Sequence, residues 1–246
     1  MKNVAVVLAG GTGSRTGLPV PKQFLPLNGR TLIEYSVETF DGHPAIDEVA
    51  VVVHRDWRGE MENIVARNAW RKVTRIIDGG SERYRSTFNA IKAYNDYADN
   101  TNLLIHDAAR PMVSTGIIDR VCEALLQHEA VGVALPSTDT VWEVGDMAQN
   151  TESKMTHTDD SRRDMYVSRI PERKRMWLAQ TPQAFRLPLL RDAYQRALQD
   201  PCFTATDDCG VVHRYCPDTK IAVVEGDPQN MKVTYTADIT MLNRNK

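Results

Sequence analysis

Strand-like apolar runs alternate with helix-period segments from the first residues of the chain, and few architectures tolerate that alternation. It is the pattern of a wound, mostly parallel sheet whose strands are joined by crossing helices. Residues 3–9 predict a buried strand, and 31–40 a helix with Leu32, Ile33, Tyr35, Ser36, Val37 and Phe40 on its apolar face. Further strands are expected at 48–54, 73–77, 103–106 and 131–135, with helices at 57–69, 85–97 and 117–128 between them. From about 136 to 180 the chain turns polar and irregular, and only 140–144 and 176–179 look like strands. A stretch that long without periodicity reads as an extension or a functional loop. Helices at 187–198 and from 206–208, a strand at 220–224 and a last helix from 237 then resume the pattern. No repeat or linker divides the chain, so the expectation is one domain spanning 1–246 with an arm at about 137–180.

Composition narrows the class. Thirty Lys and Arg oppose 32 Asp and Glu, giving a net charge of −2, and 42% of residues are hydrophobic. That balance fits a soluble α/β domain and gives no support to a nucleic-acid-binding surface. The longest apolar run near the start, 4–9, is far too short for a spanning helix or a signal segment. Cys122, Cys202, Cys209 and Cys216 make neither a disulfide framework nor a CxxC clip, as expected of reduced thiols in a cytoplasmic protein.

The first strand runs straight into Ala9-Gly10-Gly11-Thr12-Gly13-Ser14-Arg15, followed by Pro21-Lys22-Gln23. Glycines at a strand end let backbone N–H groups approach phosphate oxygens, and Arg15 and Lys22 supply charge that backbone dipoles cannot. A dinucleotide fingerprint would need a third glycine where Thr16 stands and an acid where the second strand ends in His54. A P-loop would need Gly-Lys-Ser/Thr, which is absent. The segment resembles the loop of sugar- and polyol-phosphate nucleotidyltransferases in composition and in the placing of Arg15 and Lys22, against the plainer reading of a strand-to-helix turn.

Other segments end on the same edge of the expected sheet. His106-Asp107-Ala108-Ala109-Arg110-Pro111 follows the fourth strand, and an Asp and an Arg three residues apart can hold a polyol hydroxyl or a phosphate from one short loop. The alternative is a helix-capping Asp with a solvated Arg. Gly79-Gly80-Ser81-Glu82-Arg83 with Ser86 follows the third strand, where backbone groups could read a base edge and Arg83 could brace the loop, or Ser81 could simply cap a helix. Thr206-Asp207-Asp208 offers one acid as an N-cap and the other to a divalent cation. Gln180-Thr181-Pro182-Gln183 reads as the end of a short strand or a buried turn and carries no assigned chemistry. Lys232 follows the last strand, and His43, His128, His157 and His213 have no nameable partners.

In order and spacing, these segments resemble the cytidylyltransferases of 2-C-methyl-D-erythritol 4-phosphate, with their relatives acting on ribitol 5-phosphate. The resemblance runs through Ala9–Arg15, Pro21-Lys-Gln-Phe-Leu25, Asp78–Arg83, His106–Pro111, Thr138-Asp-Thr140, Gln180–Phe185, Thr206-Asp-Asp208 and Asn230-Met-Lys-Val-Thr234. It implies a Rossmann-like wound mixed sheet of the nucleotide-diphospho-sugar transferase type with a protruding dimerisation arm. CTP, a polyol phosphate and Mg²⁺ are the implied co-reactants, the metal held mainly by CTP phosphates, and the implied assembly is a homodimer in which one subunit's arm reaches the other's site.

Position by position, Arg15, Lys22, Arg173 and Lys232 match catalytic residues. Ala9, Gly10, Gly11, Gly13, Gly80, Ser81, Arg83, Ser86 and Ala108 match nucleotide contacts. Asp107, Arg110, Thr140, Arg173 and Lys232 match acceptor contacts, with Arg169 or Arg175 as substitutes for Arg173. The interval from Thr140 to Arg173 is longer than expected for the methylerythritol enzymes. The implied reaction transfers CMP from CTP to 2-C-methyl-D-erythritol 4-phosphate with release of pyrophosphate, the alternative acceptor being D-ribitol 5-phosphate. The rivals are an NAD-dependent dehydrogenase and a non-catalytic nucleotide-binding protein.

Overall fold

A computed structural model of the chain describes residues 1–11, 20–146 and 165–244. In chain order the strands and helices are β1 (Lys2–Ala9), β2 (Pro26–Leu27), β3 (Arg30–Thr31), α1 (Leu32–Gly42), β4 (Glu48–Val53), α2 (Arg58–Asn68), β5 (Val73–Asp78), α3 (Arg83–Ala93), β6 (Thr101–Asp107), α4 (Thr115–Ala124) and β7 (Ala130–Pro136). There follow β8 (Glu143–Asp146), β9 (Met165–Arg169), β10 (Trp177–Arg186), α5 (Leu187–Ala197), α6 (Asp208–Tyr215), β11 (Ile221–Glu225) and α7 (Thr236–Arg244).

Two compact units result, one of Met1–Ala134 with Ala179–Lys246 and one of Leu135–Leu178. The larger is organised by a sheet in the order β11-β7-β10-β6-β1-β4-β5. β1 lies parallel to both β4 and β6, β4 to β5 and β11 to β7, whereas β10 runs antiparallel to β6. This is the wound mixed sheet that the alternation predicts.

Pleating divides each strand between two cores. In β1, Ala5, Val7 and Ala9 join Ile33, Val37 and Phe40 of α1, Met61 and Ile64 of α2, and Ile117 and Val121 of α4 on one face. Val4, Val6 and Leu8 join Ile91 of α3, Leu190 and Tyr194 of α5, and Val211 and Val212 of α6 on the other. Both faces are covered, which is why the strands read as continuous apolar runs rather than alternating ones. Each fully buried Val, Leu or Ile contributes about 1.5–3 kcal/mol relative to exposure. Tyr35, placed on the apolar face by periodicity, is only half-buried and packs in a separate cluster with Leu27, Leu32 and Val233.

Helix ends follow local chemistry. Glu34 accepts from the Thr31 N–H at 2.7 Å and hydroxyl at 2.8 Å, opening α1 with a capping box. Asp207 caps α6 by accepting from the Gly210 N–H at 2.8 Å. Two expectations need correction here. The N-cap position of α3 belongs to Glu82, not Ser81. Gln180–Gln183 is neither a strand end nor a turn, because β10 runs on to Arg186 with a cis Thr181–Pro182 bond inside it. Proline lacks the N–H that a ladder needs, so it argues locally against a strand that tertiary pairing nevertheless completes, β10 meeting β6 from Gln183 onward.

In the smaller unit β8 pairs antiparallel with β9. The strand expected at 140–144 therefore begins later, where a partner exists to hydrogen-bond it. The four cysteines form no disulfide, and no described helix is long and apolar enough to cross a membrane.

Candidate active site

In the larger unit, the carboxyl ends of β1, β4, β5 and β6 surround a cavity of about 350 Å³. Ligands of open α/β sheets bind at that edge. Lining residues come from the first glycine loop (Ala9, Gly10, Gly11), the turn after β5 (Gly80, Ser81, Arg83, Ser86), the end of β6 (Asp107, Ala108) and Lys22 and Lys232. All of these except the connecting geometry were predicted from the sequence.

One wall is backbone packed on backbone. The buried Gln23 side chain donates from Nε2 to the carbonyls of Ala9 at 2.6 Å and Gly11 at 2.9 Å, pinning the first loop from below. Ser86 Oγ accepts from the Gly80 N–H at 3.1 Å, which commits that amide to the protein rather than to a ligand. A Cβ on Gly80 would lie 2.2 Å from Cβ of Arg85, and one on Gly10 would lie 2.9 Å from Ser86 Oγ. The first of these contacts lies within the segment after β5; the approach of the two loops is tightest at Gly79, where a Cβ would lie 3.2 Å from the Gly10 Cα.

The opposite wall is ionic. Asp107 is bonded by Arg83 Nε at 3.1 Å and by Lys232 Nζ at 2.7 Å. Burial alone would raise its pKa, but the cations Arg83 and Lys232 outweigh that and hold the carboxyl well below the usual range. Arg83 reaches on to Asp208 at 2.8 Å, and Asp208 also accepts from the Tyr194 hydroxyl at 2.6 Å. Burial works against the Arg83 charge, yet Asp208 and Asp107 raise its pKa well above the ordinary value. Arg83 thus braces the loop, as the sequence suggests, by tying the end of β6 to the start of α6. The Lys22 ammonium donates to the Val233 carbonyl at 3.0 Å, which places it beside the Lys232 segment.

Several predicted residues lie elsewhere. Asp208 is fully buried and bonded to Arg83 and Tyr194, so it cannot serve as the second acid for a cation; its burial under α5 was invisible locally. Arg110 is not among the cavity's lining residues. Its guanidinium donates to the carbonyls of Asn230 at 2.7 Å and Ala179 at 3.2 Å, making it part of the frame behind the wall. Thr140 and Arg173 belong to the smaller unit, both exposed, with Arg173 Nη1 donating to the Thr138 carbonyl at 3.2 Å. Gly13, Arg15 and His157 lie outside the described residues.

Sequence reasoning assigned no role to Gln23, His54, Glu82 or Thr234, which also line the cavity. It also missed the buried amides behind it. Gln180 Nε2 donates to the Asp227 carbonyl at 2.9 Å, while its Oε1 accepts from Asn230 Nδ2 at 3.1 Å. Asn230 further donates to the Thr181 carbonyl at 2.8 Å, fixing the segment that leads into Lys232. Only the position of Gln23 next to Lys22 could have flagged one of them. Among the described residues, no group of three His, Cys, Asp or Glu side chains could hold a metal ion.

A glycine loop, two lysines and a carboxylate converging on one cavity at the strand ends of a wound mixed sheet define a nucleotidyltransferase of the nucleotide-diphospho-sugar transferase type. Over residues 3–243 the chain matches the family described as 2-C-methyl-D-erythritol 4-phosphate cytidylyltransferase, and it belongs to that family. It is 44% identical to the 2-C-methyl-D-erythritol 4-phosphate cytidylyltransferase of Thermobifida fusca, over 96% of this chain and 90% of the relative. It is also 37% identical to a Haemophilus influenzae protein described as a bifunctional ribulose 5-phosphate reductase/CDP-ribitol pyrophosphorylase, over 99% of this chain but 48% of that longer relative. Among solved structures, 4-diphosphocytidyl-2C-methyl-D-erythritol synthase from Anaerococcus prevotii superposes with a TM-score of 0.80 at 29% identity, covering 99% of this chain and 97% of that one.

Proposed function

We propose that this protein transfers CMP from CTP to a polyol phosphate, with 2-C-methyl-D-erythritol 4-phosphate as acceptor. The carrying observation is the cavity itself, where Lys22 and Lys232, brought together by the Lys22–Val233 hydrogen bond, line one space with the glycine loop and Asp107. An acceptor phosphate oxygen attacks the α-phosphorus of CTP in line, a new P–O bond forms, and the bond to the β-phosphate breaks to release pyrophosphate. Both reactants are anions, so cations fixed where charge accumulates lower the barrier. Lys22, Lys232 and Arg15 supply that charge. Ala9, Gly10, Gly11, Gly80, Ser81, Ser86 and Ala108, which line the cavity, surround the nucleotide. Asp107 orients the acceptor's hydroxyls with its unprotonated carboxylate, and Arg110 supports the same wall from behind.

The residues fit a Mg²⁺ that arrives on the triphosphate and is held mainly by its phosphates, with Glu82 as the nearby lining carboxylate, since both oxygens of Asp107 are already bonded by Arg83 and Lys232. When bound, the cation neutralises phosphate charge. A homodimer through the arm accords with the apolar side chains that the smaller unit leaves exposed, Trp142, Val144, Tyr166 and Val167 among them, and would let Thr140 and Arg173 serve the acceptor of the neighbouring subunit.

D-Ribitol 5-phosphate is the second reading, favoured by the similarity to the CDP-ribitol pyrophosphorylase over almost the whole of this chain. Pyrophosphate release with CTP and Mg²⁺, measured with each acceptor in parallel, tests both. Turnover with 2-C-methyl-D-erythritol 4-phosphate at least about tenfold faster than with ribitol 5-phosphate is the expected result. The reverse ratio establishes the second reading, and release with neither overturns the activity.

A further inference from the structure

The turn that carries Asp107 is held at both ends by two side chains that the reaction itself does not use. His106, fully buried on β6, places Nε2 3.1 Å from the carbonyl oxygen of Arg110. A carbonyl only accepts, so Nε2 carries the proton and Nδ1 presents a lone pair. Thr181 of β10 lies 3.0 Å from that Nδ1 and donates to it. The same hydroxyl oxygen then accepts from the Asp107 N–H at 3.1 Å. A single arrangement of protons satisfies all three bonds, and it closes the 107–110 turn from its first N–H to its last carbonyl.

We propose that His106 and Thr181 are positioning residues that fix the Asp107 carboxylate for the acceptor, an inference that rests on the role given to Asp107 above. The rest of the turn leaves little slack. Ala108 N–H donates to the Leu8 carbonyl at 3.0 Å, and the Ala109 carbonyl accepts from the Val233 N–H at 2.8 Å. Lys232 therefore hangs from the same turn, and its 2.7 Å contact with Asp107 is set by it. Around the imidazole, Phe40 meets the ring edge-on at 5.1 Å. The charged groups acting on it are Asp107, which favours its protonation, and Arg110, which opposes it. Burial dominates and pushes its pKa down to about 4, so the ring is neutral at pH 7.

The test is steady-state kinetics of the full chain with CTP and whichever acceptor it turns over. Thr181→Val keeps the side-chain shape without the hydroxyl, and should raise the acceptor KM about tenfold while moving the CTP KM less than about twofold. Thr181→Ser restores the hydroxyl and should return the acceptor KM to within about threefold of wild type. Equal rises in both KM values, no change in either, or a Ser variant as impaired as the Val variant would overturn the proposal. A histidine-labelled ¹H–¹⁵N spectrum of the wild-type chain at pH 7 needs neither variant nor turnover. It should show His106 as the Nε2–H tautomer, and the Nδ1–H tautomer or an imidazolium there refutes the arrangement. Absence of wild-type pyrophosphate release with either acceptor instead defeats the activity reading, while the tautomer result still judges the hydrogen-bonded chain.

Discussion

The two walls of the cavity reach a fixed geometry by opposite means. On the glycine side, Gly79 lies close against the Gly10 backbone, Gly80 against Arg85 and Gly10 against the Ser86 hydroxyl, and one amide, Gln23, secures the loop. On the Asp107 side, a carboxylate stands between Arg83 and Lys232, and the segments that supply them are anchored by Arg110, Thr181, Gln180 and Asn230. Exclusion of volume shapes the first wall, and mutual neutralisation shapes the second. The first can therefore be written in two short stretches, one around Gly10 and one around Gly80, whereas the second needs side chains from across the whole chain.

The largest effect is expected where the two walls meet. Lys22 stands on the glycine side but donates to the carbonyl of Val233, next to Lys232. Lys22→Ala should depress kcat by about 10²–10³ with little change in CTP KM, as measured by pyrophosphate release. A raised KM with kcat intact would make Lys22 a simple binding residue and leave the walls independent.

Acid should weaken the ionic side first. The His106 pKa falls from 6.5 unfolded to about 4 folded, so the unfolded chain binds the extra proton between those values. Its contribution is complete above pH 6.5 and is lost as the pH falls toward 4, costing about 3 kcal/mol. Urea midpoints measured across that window should decline, and His106→Gln should flatten the decline. Glu34 and Glu48 act in a lower window. Burial would raise their pKa values, but hydrogen bonds, from Thr31 and Asn68 to Glu34 and from Thr74 and Lys2 to Glu48, lower both from 4.5 to about 2. Their contributions are present above pH 4.5 and disappear as the pH falls through 2.

The smallest effect separates two glycines of the same wall. Gly80→Ala drives a Cβ against the backbone and Cβ of Arg85 and should cost about 1–3 kcal/mol of stability. Gly10→Ala meets only the end of the Ser86 side chain and should cost less by the same thermal or urea assay. Equal losses would mean that the wall is shaped by something other than excluded volume.

What was legible in the sequence divides along the same line. The strands of the central sheet, the glycine loop, and Asp107 and Lys232 at the sheet edge declare themselves through runs and spacings that act locally. The place of Arg110 behind the wall is not legible locally, because its partners, the carbonyls of Ala179 and Asn230, lie far along the chain. Asp208 shows the same limit, since two adjacent acids before a helix give no sign of which one a buried arginine will claim. Thr181 was hidden further by Pro182, whose local preference speaks for a turn while the pairing of β10 with β6 decides otherwise.

The placing of β10 has a consequence for how this chain can vary. The Leu135–Leu178 excursion departs from β7 and returns in β10, and those strands are neighbours in the sheet. Its ends are thus held together by the sheet whatever lies between them. Doubling the length of a flexible loop adds only about 0.6 kcal/mol of closure entropy, so residues can be gained or lost there at almost no expense to the catalytic cavity. A long interval between Thr140 and Arg173 is the kind of change such a junction absorbs without disturbing the strands that carry the cavity.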